Sequence, residues 1–140
     1  MATFNKFQAF VEHLAEKVHN LGGDTLTIAL CAAANAPVAT NSLLVDLTQI
    51  SYTNCSARVP TITSSAQTTG TYKLVLADLV LTASGGDVAA FRYVVLYNDT
   101  PTSPADPLIG WYDYGASVTI TNGNSFTIDF DATNGVLQLV

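Results

Sequence analysis

The sequence predicts a mainly β fold: an antiparallel β-sandwich, with jelly roll as the leading topology and one N-terminal amphipathic α-helix. Three observations carry this reading. Apolar residues recur at helical spacing only over residues 4–21, and from residue 24 onward the period drops to two. About eight short strand-like segments then follow one another with no helical stretch between them. Polar turn clusters separate them, at Ser84-Gly85-Gly86-Asp87, Asn122-Gly123-Asn124 and Asn134-Gly135.

The helix comes first. Phe7, Val11, Leu14, Val18 and Leu21 alternate spacings of four and three, and Phe10 widens the stripe, so one face is apolar. Thr3 is placed to cap its start, and Gly22-Gly23 supply the left-handed residue that commonly ends a helix. Burying such side chains stabilises by roughly 1.5–3 kcal/mol each. The helix must therefore dock, either on its own sandwich or, as an arm, on a neighbouring subunit. Residues 1–23 form this helical part, within the same domain or as the arm, and residues 24–140 form the sandwich domain.

Leu26, Ile28 and Leu30 alternate with Thr25, Thr27 and Ala29, and Phe126, Ile128 and Phe130 alternate with Ser125, Thr127, Asp129 and Asp131. Both segments read as half-buried strands with one wet face. Residues 72–82 and 91–98 are apolar on both sides and read as central strands covered on both faces. Further strands are expected at 107–113, 117–121 and 136–140, and around 57–64. Asn122-Gly123 and Asn134-Gly135 are hairpin signals. Residues 32–41, centred on Pro37, read as an exposed loop, followed at 42–50 by a short helix or an edge strand. Pro101, Pro104 and Pro107 make residues 100–107 irregular.

Composition narrows the function classes. Of the 140 residues, 49% are hydrophobic and only 11% charged, below half the usual charged share of a soluble domain. Interface cores are depleted of charge, so a long-lived assembly is the expectation. Lys6 and Lys17 balance Glu12 and Glu16, which leaves the net charge of −6 on the sandwich, whose cations are Arg58, Lys73 and Arg92. That is no footprint for nucleic acid, nor for anionic lipid. Cys31 and Cys55 belong to no paired motif and read as small hydrophobes in a reduced compartment. No secretory pattern or long apolar run is present, so synthesis in the cytosol is expected. Asn54-Cys55-Ser56 and Asn98-Asp99-Thr100 match the glycosylation pattern but read as turn chemistry.

Candidate chemistry is sparse, and the expectation is a protein that is not an enzyme and needs no cofactor or metal. His13 and His19 would lie about 120° apart around a helix, facing solvent and unable to share one metal. Asp129 and Asp131 share one side of their strand, with Asp113 on a nearby one, and could serve a glycosidase or calcium. Acidic residues alternating with a Phe-Ile-Phe face read more simply as the wet side of a strand. Trp111, Tyr112 and Tyr114, between Gly110 and Gly115, form the densest aromatic patch. A sugar platform, an assembly contact and burial in the core are its three readings. Ser84-Gly85-Gly86-Asp87 lacks the following helix that a phosphate loop needs.

The segments at 72–78 (YKLVLAD), 91–99 (FRYVVLYND), 107–115 (PLIGWYDYG) and 129–137 (DFDATNGVL) resemble small structural proteins of tailed bacteriophages, as do the front helix and residues 36–41 (APVATN). The resemblance spans nearly the whole chain. It implies a jelly-roll cement or decoration protein on the outer surface of the capsid. The implied partners are the major capsid protein and further copies of the chain, as a dimer or trimer, with neither nucleic acid nor membrane. It brings no catalytic residues. A neck, tail or fibre component, with the aromatic patch open to host glycans, is the alternative. The residues expected at the assembly interface are Phe7, Phe10, Val11 and Leu14 on the helix and Trp111, Tyr112 and Tyr114 on the aromatic loop.

Overall fold

Residues 93–97 follow one another with apolar side chains, so neither face of the strand they help form can be left to water, and the fold is arranged around it. The structure, a computed structural model, describes residues 2–140. Its strands are β1 (Asn5–Lys6), β2 (Leu26–Cys31), β3 (Ile62–Thr68), β4 (Thr71–Leu76), β5 (Leu79–Thr82), β6 (Phe91–Asn98), β7 (Leu108–Val118), β8 (Ser125–Ile128) and β9 (Leu137–Leu139), with one helix, α1 (Ala9–Ala15). One sheet has the order β1-β7-β6-β2, and β3-β4-β9 and β5-β8 form two smaller ones. Every pairing is antiparallel.

The inner face of the four-stranded sheet supplies Ile28, Leu30, Val94, Leu96 and Ile109 to the main core. There they meet Leu74, Leu76, Leu81, Ile128 and Leu137 of the two smaller sheets. This is an antiparallel sandwich, with which a jelly roll is compatible. A second buried cluster lies on the outer face of the same sheet: Ala29, Cys31, Tyr93, Val95, Tyr97 and Leu108, covered by Phe7, Leu44, Leu47 and Trp111. Residues 91–98 are thus covered on both faces, as their composition predicts.

Several local expectations are corrected. The helix spans Ala9–Ala15 rather than residues 4–21. Its end is a Schellman turn in which Val18 N–H donates to His13 O at 2.8 Å and Lys17 N–H to Leu14 O at 3.4 Å, with Lys17 in the left-handed region at φ 66°. Lys17, not Gly22-Gly23, stops the helix. Ahead of it, Asn5 and Lys6 pair with Trp111 and Gly110 instead of coiling. Gly110 permits this, because a Cβ there would run into the Phe4 ring and lie 2.7 Å from Asn5 O. All six residues of β2 are buried, because its supposed wet face lies under the second cluster. Its free edge is closed as well: Ile28 N–H donates to Arg58 O at 2.8 Å and Leu30 N–H to the Tyr52 hydroxyl at 2.9 Å.

Residues 72–82 form two strands in different sheets, not one central strand. Tyr72, Lys73 and Val75 stay half-exposed and Val80 is exposed. Residues 107–113 and 117–121 are replaced by the single strand β7, and the strand sought at 57–64 lies at Ile62–Thr68. Gly123 and Gly135 adopt the positive φ expected of turns. Their turns lead between strands of different sheets, however, so neither closes a hairpin. The tight hairpin is Thr69-Gly70 between β3 and β4, with both residues at positive φ. Residues 42–50 hold a 3-10 turn at Leu44–Asp46.

Candidate functional site

Strand β7 carries the aromatic residues, and strand geometry divides them. Successive side chains point to opposite faces. Trp111 packs outward on Phe7, ring centroids 4.5 Å apart. Tyr112 points the other way, 5.4 Å from Phe4 and 6.4 Å from Phe130. The three residues are therefore not one patch.

Beyond Tyr112 the ladder breaks. Tyr93 pairs with Asp113 but Phe91 pairs with Val118, so β7 carries extra residues against two positions of β6. The bulge is pinned at its base. Arg92 donates to both Asp113 oxygens, at 2.7 and 2.9 Å, and Gly115 N–H donates to Asp113 Oδ1 at 2.8 Å. Gly115 takes φ 92°. Arg92 draws the Asp113 carboxyl below its ordinary range. As an ion pair on a partly exposed surface this adds little stability, but it fixes the direction of the bulge. Tyr114, 54% exposed, is carried against Phe126 of β8 at 5.3 Å, edge to face.

Between the bulge and β8 lies a cleft of about 370 Å³ lined by Val94, Tyr112, Tyr114, Phe126, Thr127 and Asp129. Burial pushes the Tyr112 hydroxyl up to about 12, with Asp131 adding to the effect. Of the three aspartates, Asp129 stands on the cleft rim and Asp113 is held by Arg92. Asp131 closes a local turn by accepting from Thr133 N and Asn134 N, each at 2.8 Å. Among the described residues no set of three or more His, Cys, Asp and Glu side chains is placed to hold a metal ion.

The helix residues divide in the same way. Phe7 and Phe10 are buried in the two core clusters of this chain. The N-terminal segment therefore docks on its own sandwich. Val11 is 52% exposed and, with Phe4, Lys6, Leu14 and Leu139, lines an apolar groove of about 630 Å³ between α1 and β9. Of the residues expected at an assembly interface, Val11, Leu14, Trp111, Tyr112 and Tyr114 keep surface for a partner, on three separate parts of the molecule.

His19 departs furthest from expectation. Because the helix ends at Ala15, His19 turns inward to 6% exposure and its ring lies 6.0 Å from that of His13. Asn98 accepts from Thr100 N–H at 3.1 Å through Oδ1, which directs its amide nitrogen to Asp24 at 2.6 Å and to His19 Nδ1 at 3.2 Å. His19 Nδ1 is thus an acceptor and the proton sits on Nε2, where no described residue offers a partner. Burial, reinforced by His13 and opposed by Asp24, lowers the His19 pKa to about 4.

No helix among the described residues is long and apolar enough to cross a membrane. Compared with known protein families, curated proteins and solved structures, the chain matches none.

Proposed function

We propose that the chain is a structural subunit of a tailed-phage virion, a decoration protein that binds the outer surface of the mature capsid and stabilises it. The observation that carries this reading is the apolar groove between α1 and β9, where Val11 and Leu139 stand exposed on a chain with few surface charges to keep apolar faces apart. The likeness of residues 72–78, 91–99, 107–115 and 129–137 to phage structural proteins supplies the partner: the major capsid protein, with further copies of this chain completing a dimer or trimer. The mechanism is mass action, since a ligand that binds only the mature lattice stabilises it by its own binding free energy. No catalytic step and no cofactor enter. The net charge of −6 suits an outer position, away from packaged DNA.

Particles carrying the protein should rupture at a higher temperature than particles lacking it. Val11→Asp, a change at an exposed position that leaves the core intact, should remove that difference by placing a charge in the contact. Equal rupture temperatures with and without the wild-type protein would contradict the reading. A neck, tail or fibre position is the second reading, favoured by the exposed aromatic cleft.

A further inference from the structure

We propose that the cleft between the β7 bulge and β8 is a carbohydrate subsite that seats a neutral pyranose ring on the Tyr114 ring, with Asp129, Thr127 and the tyrosine hydroxyls binding its hydroxyl groups. The volume of about 370 Å³ falls at the lower end of small-ligand sites, which suits one or two sugar rings. Its composition defines the ligand. Val94, Tyr112, Phe126 and Ile128 make an apolar interior, so the ligand needs an apolar face. Asp129 is exposed and, among the described residues, accepts no hydrogen bond, and no Lys, Arg or His is among the described residues of the lining. A carboxylate can only accept, which favours a ligand rich in O–H donors and opposes phosphates and acidic sugars. A sugar ring unites a C–H face for stacking with hydroxyls at its edge.

The ring geometry separates this ligand from the other one that aromatic residues and a carboxylate suit, an alkylammonium ion. A cation cage needs rings standing apart around a void. Tyr114 and Phe126 instead pack edge to face at 5.3 Å with an interplanar angle of 80°, which closes the space between that pair and leaves the 54% exposed Tyr114 ring as the stacking surface. That surface is built into the backbone. The bulge, the Gly115 turn and the paired bonds from Arg92 to Asp113 hold an exposed tyrosine where a regular strand would not place it. The site does not depend on where in a virion the protein sits, and it stands or falls separately from capsid binding.

The test is a titration of the full chain, followed by amide chemical shifts, with the methyl glycosides of glucose, galactose, mannose and N-acetylglucosamine, and with choline in a parallel arm. At least one glycoside should bind with a dissociation constant on the order of 1–10 mM, shifting residues 112–115 and 126–129. Tyr114→Ala and Asp129→Asn, both exposed and free of core packing, should each weaken it about tenfold or more while leaving the remaining amide spectrum in place. Three results would overturn the proposal: no glycoside shifting these residues at concentrations of about 50 mM, binding unchanged in both variants, or choline binding where the glycosides do not.

Discussion

Gly110→Val is expected to lower stability by about 3–5 kcal/mol, from overpacking and from the apolar surface released when the N-terminal strand cannot seat. Gly110 lies opposite Lys6 in the β1–β7 pairing and opposite Leu96 on its other side. A side chain there meets the Phe4 ring and the backbone oxygen of Asn5, and backbone cannot swing away as a flexible side chain can. Once β1 lifts, the bond from Phe7 N–H to Ile109 O is strained next. Phe7 and Phe10, buried in separate clusters, then lose their registration on the sandwich. Denaturant unfolding measures the loss, and hydrogen exchange at residues 5–10 shows whether it starts there. A loss below about 1 kcal/mol, within the range of ordinary substitutions, would show that β1 is not an anchor.

Acidification should produce the second large effect, between pH 6.5 and 4. His19 titrates at about 4 in the fold, below its ordinary value of 6.5, so in this window the unfolded chain binds the extra proton. Stability is therefore fully present above pH 6.5 and declines as the pH falls, by at most about 3 kcal/mol. Charging His19 requires a proton on Nδ1, where Asn98 already points an N–H. His13 beside it adds repulsion, while Asp24 opposes the effect. The carboxyls of Asp46, Asp113 and Asp131 lie below the usual 3.8 and withdraw their contribution only at lower pH, which separates the two windows. His19→Gln, which keeps an acceptor for Asn98, should flatten the slope between pH 6.5 and 4 in a series of urea melts. An unchanged slope would place the acid sensitivity elsewhere.

The parts of the fold legible in the sequence are those set by neighbouring residues. An unbroken apolar run reads as a strand covered on both sides, and residues 93–97 are one. Alternation reads as a strand with one wet face, which holds for β8, where Ile128 is buried and Ser125, Thr127 and Asp129 are exposed. It fails for β2, whose polar-looking face is covered by Phe7, Leu44, Leu47 and Trp111, none of them its neighbour in sequence. The front helix is shorter than its apolar spacing for a similar reason. Its apolar spacing continues past Ala15, but Lys17 adopts a left-handed conformation that lysine seldom takes, and Gly110, far along the chain, captures Asn5 and Lys6 as a strand. The Thr69-Gly70 hairpin carries no sequence signal, because threonine, too, rarely accepts positive φ.

The same division holds at the surface. Tyr112 and Tyr114 were identifiable as aromatic residues between glycines. That Trp111 faces away follows from strand alternation once residues 108–118 are one strand. Phe126, Thr127 and Asp129 reach the cleft through sheet topology that no local pattern contains. Arg92 is paired with Asp113 across two strands, and His19 is buried only because the helix stops early. Val11 and Leu139 meet at one groove from opposite ends of the chain.

The decoration reading is tested most directly by imaging the intact particle at a resolution that places this sandwich. The account predicts hundreds of copies over the capsid exterior, with Val11 and Leu139 buried against the shell or against another copy. A few copies confined to one vertex or to the tail, or particles without the protein, would contradict it.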